Sequence, residues 1–207
     1  MGTVTSFTLS NNLEVRIDVK SSPIVAISLM GKCGSLFENT PGLAHFTEHM
    51  SLDGSSDYPD KNSLYNLVTK SGGNGGGRTN RSFVEYYART TPDDLLSGLI
   101  FVSQVAFYSR LSEEDFTKEK NIISNEINQV QSNTQKLLFE KLLSETYKNK
   151  AFQYNVVGNS ESISKLTIDD IKEYRNNYFN PNNFVLSIVG NVDLTQAKQI
   201  IENVFFG

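Results

Sequence analysis

Alternating apolar and polar residues open the chain and predict β-structure. Leu13, Val15, Ile17 and Val19 alternate with charged neighbours, which is the period-two pattern of a half-buried strand. A more apolar run follows a Ser-Ser-Pro break, and two similar runs rich in β-branched and aromatic residues occur later in the chain. These three runs predict strands over 24–30, 83–90 and 184–189.

Helical signals lie between these strands. Thr40-Pro41 and Thr91-Pro92 each resemble an N-cap followed by proline at the first helical position. Ser112 is a further N-cap, with Asp115 at the capping-box position. The pattern predicts helices over 41–51, 61–70, 92–108, 112–131, 135–147, 167–178 and 193–206.

The order of these elements predicts the fold class. Strands open the chain and recur in the middle and near the end, whereas the helices are grouped between them. This order is typical of an α+β fold, and we expect a mostly antiparallel sheet with helices on one side. A glycine-rich stretch, 72–77, ends the second helix, and a loop is predicted near Gly158.

Composition narrows the possible functions. The chain has 207 residues and a formal net charge of −4, without a Lys/Arg tract, so it lacks the basic surface of a nucleic-acid binder. No apolar run approaches the roughly 20 residues of a membrane span. Neither a signal nor a transit peptide is visible, so we expect a cytoplasmic protein, or an organellar one if the start is processed. The single cysteine, Cys33, fits a reducing compartment.

The two histidines of the chain, His45 and His49, lie four residues apart on one predicted helix. Residues at this spacing share a helix face, so both imidazoles can reach one ion. Glu48 lies within the same arc, close enough to act on a water molecule beside that ion. The segment reads H-x-x-E-H, the reverse of the commoner zinc-peptidase order. The alternative is a helix that merely carries two polar histidines.

A catalytic zinc site needs three protein ligands and one open position, so the third ligand must come from elsewhere in the chain. Glu119 and Glu126 lie two turns apart on the helix that begins at Ser112, and apolar residues surround Glu126. A carboxylate on an apolar face needs a partner. The same residues also fit an amphipathic helix with two exposed glutamates.

With these motifs the chain resembles the inverted zinc peptidases, the family of pitrilysin, insulysin and the mitochondrial processing peptidase. Gly-Leu-Ala-His-Phe-Thr-Glu-His-Met over 42–50 matches the metal-binding helix of the family, and Glu-Lys-Asn-Ile-Ile-Ser-Asn-Glu over 119–126 matches its second signature. The likeness continues to 189–193, so it covers nearly the whole chain. It implies a single metallopeptidase domain over residues 1–207.

The resemblance implies a role for each site residue. His45, His49 and Glu126 would bind one zinc ion per chain. Glu48 would be the general base that takes a proton from the metal-bound water and passes it to the leaving amine. Glu119 would orient a ligand or tune the charge of the site. The implied activity is hydrolysis of peptides or unfolded segments.

The stretch 72–87 resembles the edge strand on which the family holds its substrate by β-augmentation. This comparison places Gly76, Gly77, Arg78 and Thr79 as substrate-binding residues. Thr79 matches a threonine of the family, but Gly76 and Gly77 replace an Asn-Ala pair. A flexible solvent-exposed loop is the alternative interpretation of the same glycines.

The resemblance also implies a partner. Enzymes of the family pair a domain like this one with a second domain or subunit of similar fold, in one chain or as a heterodimer or homodimer. A non-catalytic peptide-binding or structural subunit is the main alternative function. The S-ribosylhomocysteine lyases use the same motif with a downstream cysteine as third ligand, whereas Cys33 lies upstream of the motif.

Overall fold

A computed structural model describes residues 4–147 and 150–206, and its centre is a six-stranded sheet. The strands are β1 (Thr5–Thr8), β2 (Glu14–Val19), β3 (Val25–Gly31), β4 (Asn74–Thr79), β5 (Val84–Thr90) and β6 (Phe184–Gly190). Their spatial order is β1-β2-β6-β3-β5-β4. The pair β2–β6 is parallel and the other neighbours are antiparallel, so the predicted mostly antiparallel sheet is confirmed.

The helices follow the predicted order closely. They are α1 (Leu43–Leu52), α2 (Lys61–Thr69), α3 (Leu95–Phe107), α4 (Glu113–Ser132), α5 (Thr134–Thr146), α6 (Lys150–Gln153), α7 (Ser160–Lys165), α8 (Ile168–Tyr178) and α9 (Leu194–Phe206). Short 3-10 turns occupy Ser35–Phe37, Pro92–Asp94 and Pro181–Asn183. Within the described part of the chain, no helix has both the length and the apolarity to cross a membrane.

One face of the sheet packs against helices and the other is open. Along β3, Val25, Ile27 and Leu29 are buried, whereas Met30 on the opposite face is 38% exposed. Helix α3 packs against β3 and β5 on the buried face, and α1 and α2 pack against β4. Alternation along a strand sends successive side chains to opposite faces, so the α+β class with helices on one side is confirmed.

Two helix starts differ from the prediction for a local reason. Helix α1 begins at Leu43 rather than Pro41, because Gly42 is its N-cap and has the left-handed φ of 91°. The carboxylate of Glu38 accepts hydrogen bonds from the backbone N–H groups of Gly42 and Ala44, so it replaces the expected Thr40 cap. At Thr91-Pro92 the chain forms a 3-10 turn first, and α3 starts at Leu95.

Three short elements were not predicted. Strand β1 has four residues and is defined by its pairing with β2, and helices α6 and α7 have four and six residues. Periodicity needs a longer window than these elements provide. Helix α7 still carries a sequence signal, because Asn159 and Ser162 form a capping box at its start.

Helix α4 packs against the core through one apolar stripe. Ile123 and Ile127 are buried on that stripe, whereas Ile122 is 40% exposed on the other side of the helix. The same stripe carries Glu119, which is 1% exposed. Core packing therefore fixes the rotation of α4, and the rotation decides which of its carboxylates face α1.

Replacement of Ile123 by alanine tests this packing. We expect Ile123→Ala to lower the free energy of unfolding by about 2–5 kcal/mol, since a fully buried side chain leaves a cavity. Ile122→Ala on the same helix is the matched control, with an expected change below about 1 kcal/mol. Urea denaturation followed by circular dichroism measures both values. Equal losses in the two variants would contradict the burial of this face of α4.

Candidate metal centre

Helix α1 brings both histidines to one place inside the protein. The helix packs against β4, α4 and α8, and nine of its residues are buried. His45 is 8% exposed, and the ring centres of His45 and His49 lie 4.6 Å apart. The i, i+4 spacing predicted that the rings share a face, and they do.

Helix α4 adds a carboxylate between the two rings. Oε2 of Glu126 lies 3.7 Å from Nε2 of His45 and 3.6 Å from Nε2 of His49. The three residues each offer a ligand atom, and these atoms all lie within 4.8 Å of one another. Ligands about 2.1 Å from a tetrahedral zinc ion are about 3.4 Å apart, and the two distances from Glu126 are close to this value.

Glu119 holds the other side of the His49 ring. Its Oε2 lies 2.7 Å from Nδ1 of His49, which leaves Nε2 of the same ring facing His45 and Glu126. A carboxylate on the outer nitrogen of a metal-binding histidine fixes both the tautomer and the ring orientation. The geometry therefore suits the orienting role that the resemblance implies for Glu119.

The charges at the site favour a cation. Burial lowers the pKa of His49, but its hydrogen bond with Glu119 and the nearby Glu126 carboxylate outweigh burial and raise that pKa above its ordinary value. Burial and the neighbouring His49 lower the pKa of His45. The nearby ring of His49 lowers the pKa of Glu126, which keeps this carboxylate ionised. Two carboxylates thus stabilise positive charge at the point where the two rings meet.

Glu48 lies on the same helix but turns toward the sheet. It is 6% exposed, and burial raises the pKa of its carboxyl group. The hydroxyl of Thr79 donates a hydrogen bond of 3.0 Å to its Oε2. A buried carboxylate with a raised pKa, next to a candidate metal site, has the properties of a general base.

The glycine-rich stretch is strand β4, and its residues divide between the two faces of the sheet. Gly77 and Thr79 face Glu48. Gly76 faces the ring of Tyr87, and Arg78 forms an ion pair with Glu85. Since β4 is the last strand in the order, one of its edges has no neighbouring strand among the described residues. Residues 74–79 therefore form an edge strand rather than a flexible loop.

Asp53 and two lysines lie beside the site and were not singled out from the sequence. The side chain of Asp53 is fully buried near Glu119, and Nζ of Lys61 and of Lys118 lie 3.5 and 3.6 Å from its Oδ1. Asp53 follows His49 by four residues, so the helical spacing was the available signal. Burial raises the pKa of the Cys33 thiol to about 12, which fits a core residue rather than a ligand.

Comparison with known proteins places the chain in a family. The family described as "Insulinase (Peptidase family M16)" matches residues 15–160, and "Peptidase M16 inactive domain" matches residues 165–207. Strand β6 belongs to the second region and pairs between β2 and β3, so both regions share one sheet.

Named relatives and solved structures agree with this family. The chain is 30% identical over 183 residues to an uncharacterized zinc protease of Rickettsia bellii, covering 87% of the chain and 44% of that protein. It is 24% identical over 200 residues to the mitochondrial-processing peptidase subunit beta of Dictyostelium discoideum, covering 96% of the chain and 43% of the relative. The chain therefore spans less than half the length of these relatives.

The fold is shared with solved proteases. A protease from Helicobacter pylori superposes with a TM-score of 0.93 at 21% identity, over 99% of this chain and 50% of the other. Pitrilysin superposes with a TM-score of 0.88 at 21% identity, over 99% of this chain and 23% of the other. With a family match over more than half of its residues, the chain belongs to the insulinase family of peptidases, M16.

Proposed function

We propose that this chain is the catalytic domain of a zinc metallopeptidase that hydrolyses peptide bonds in peptides or unfolded segments. The observation that carries the proposal is the convergence of three ligand atoms, from His45, His49 and Glu126, beside a buried carboxylate on the same helix. Relatives named as zinc proteases support it. Their names apply to proteins about twice as long as this chain.

The proposed ligands are Nε2 of His45, Nε2 of His49 and an oxygen of Glu126. Two neutral imidazoles and one carboxylate form the donor set of many catalytic zinc sites, and three protein ligands leave one position open. A zinc ion held there supplies a Lewis acid that activates water and polarises a carbonyl group. Glu119 holds the ring of His49 in the orientation that this arrangement requires.

Glu48 is the proposed general base. Its carboxylate takes a proton from the attacking water and later passes the proton to the leaving amine. Burial raises the pKa of Glu48, which brings its basicity closer to that needed near neutral pH. Glu48 lies between α1 and β4, so the base is next to both the metal ligands and the sheet edge.

The open edge of β4 is the proposed place for the substrate backbone. An extended peptide can pair with unpaired N–H and C=O groups of an edge strand, and this mode reads the backbone rather than the sequence. Gly76, Gly77, Arg78 and Thr79 lie on this strand. Extended pairing requires a segment without competing structure, which is why we propose peptides or unfolded segments as substrates.

A second homologous domain or subunit is the proposed partner. The relatives are about twice as long as the chain, and several are named as one subunit of a peptidase. Helix α5 supports the proposal, since it has no buried residue and its Leu138, Phe139 and Leu142 are 71%, 57% and 60% exposed. Adjacent exposed apolar side chains of this kind mark surfaces that other protein covers.

Zinc binding is the first test. We expect one zinc ion per chain by elemental analysis, and we expect a chelator to lower the thermal midpoint by about 5–15 °C, because the ligands join α1 to α4. His49→Ala is the control, in which the chelator should have little effect. A folded wild-type chain that binds no zinc would exclude the proposed site.

Glu119→Gln tests the orienting role separately. Removing the charge that holds the His49 ring should weaken zinc binding by about 10–100-fold, measured by competition with a chromophoric chelator. Glu114→Gln on the exposed part of the same helix is the matched control and should bind zinc as wild type does. Equal affinity in both variants would remove Glu119 from the site.

Glu48→Gln tests catalysis. We expect cleavage of unstructured fluorogenic peptides to fall by about 100-fold or more, with zinc content unchanged, since an amide cannot accept the proton. The assay is run on this chain alone and on the native assembly purified from its source. Survival of biological activity in Glu48→Gln would instead favour a non-catalytic peptide-binding or structural subunit.

A further inference from the structure

Thr79 makes a contact that a substrate-binding residue on an edge strand does not need. Its side chain turns inward, and its Oγ1 donates a hydrogen bond of 3.0 Å to Oε2 of Glu48. Among the described residues, this is the one side-chain hydrogen bond found to the Glu48 carboxylate. A buried carboxylate that has few donors depends strongly on each of them.

Gly77 places the second oxygen of Glu48 against the same strand. A Cβ atom at Gly77 would lie 2.6 Å from Oε1 and 2.9 Å from Cγ of Glu48, which is closer than real contacts allow. Glu48 therefore occupies space that a side chain at position 77 would take. Gly76 faces the other side of the sheet, where a Cβ would meet Oη of Tyr87 at 3.1 Å. One inward glycine and one inward hydroxyl thus fix the carboxylate.

We propose that Thr79 is a positioning residue for the general base. Its hydroxyl holds the Glu48 carboxylate against β4, in the position from which the carboxylate takes a proton from the attacking water. The inference rests on the proposed function, because it takes Glu48 as the base. Thr79 lies on the strand whose open edge is proposed to hold the peptide. The same strand then sets the position of both the substrate backbone and the base.

The expected signature follows from where the hydroxyl points. Since the side chain of Thr79 is bonded to Glu48, it is not available to a substrate, and its loss should leave substrate binding almost unchanged. A misplaced base slows the chemical step instead, because proton transfer is sensitive to shifts of a fraction of an ångström. Loss of the hydroxyl should therefore lower kcat and spare KM.

Thr79→Val and Thr79→Ser are the paired variants. Valine keeps the shape and removes the donor, whereas serine keeps the donor. In the native assembly with a fluorogenic peptide, we expect Thr79→Val to lower kcat about 10-fold, with KM within about twofold and zinc content unchanged. Thr79→Ser should recover most of the lost kcat. Thr90→Val on β5 is the matched control, since Thr90 is buried and its hydroxyl has no partner among the described residues.

A second measurement does not depend on activity. A double-mutant cycle of Thr79→Val with Glu48→Met, read in the free energy of unfolding of the zinc-free protein, measures the contact directly. We expect Thr79→Val to destabilise the wild type and to have a much smaller effect in the Glu48→Met background. Glu48→Met removes the acceptor and keeps the length of the side chain.

The outcomes separate the two proposals. An additive cycle overturns the inference, as does a Thr79→Val enzyme with wild-type kcat or a Thr79→Ser enzyme as slow as Thr79→Val. In these cases the peptidase function itself can stand. If the wild-type assembly cleaves no peptide, the proposed function fails, and the cycle still decides whether Thr79 fixes Glu48.

Discussion

Helix α1 carries ionisable side chains into a part of the molecule from which water is largely excluded. The surrounding elements must supply hydrogen-bond and charge partners for these side chains. Burying charge without a partner is costly, so each of these groups depends on a specific neighbour. Glu119 and Glu126 on α4 face His49, and Thr79 on β4 faces Glu48. The relative placement of α1, α4 and β4 therefore determines the chemistry, and the core holds these elements in place.

The sheet explains why this placement is rigid on one side and open on the other. Strand β6 lies between β2 and β3, so the end of the chain supports strands from its beginning. Strand β4 pairs with β5 alone and leaves its outer edge without a neighbour in the described part of the sheet. Glu48, the proposed base, contacts this last strand next to its open edge. One edge of β4 is thus held by the sheet, and its other edge is accessible.

The helical part of the site could be predicted from the sequence because helical spacing is regular. His45 and His49 at i, i+4 share a face. For Glu119 and Glu126 the pattern alone left an exposed helix face possible, and the family resemblance singled them out as site residues. Contacts across strands follow no such local rule. Thr79 and Gly77 face inward because of the register of β4 against β5 and the packing of α1 against β4. Both features belong to the tertiary structure.

The groups that cap the start of α1 were not predicted, for a similar reason. Thr40-Pro41 has the composition of a helix start, yet the groups that begin α1 are Gly42 in a left-handed conformation and the carboxylate of Glu38. A side chain that returns from an earlier turn satisfies the first N–H groups as well as a local cap does. Which one is used depends on how the preceding loop packs, and the pattern of residues does not encode that.

The two histidines are chemically unequal, although the motif presents them as a pair. Nδ1 of His49 is bonded to Glu119, whereas Nδ1 of His45 is buried and has no hydrogen-bond partner among the described residues. A carboxylate behind an imidazole makes its other nitrogen a stronger donor, and an apolar environment favours the neutral ring. In the proposed site, Nε2 of His49 would therefore be the stronger electron-pair donor of the two imidazoles. We therefore expect Glu119 to strengthen metal binding through His49, although Glu119 is not itself a proposed ligand.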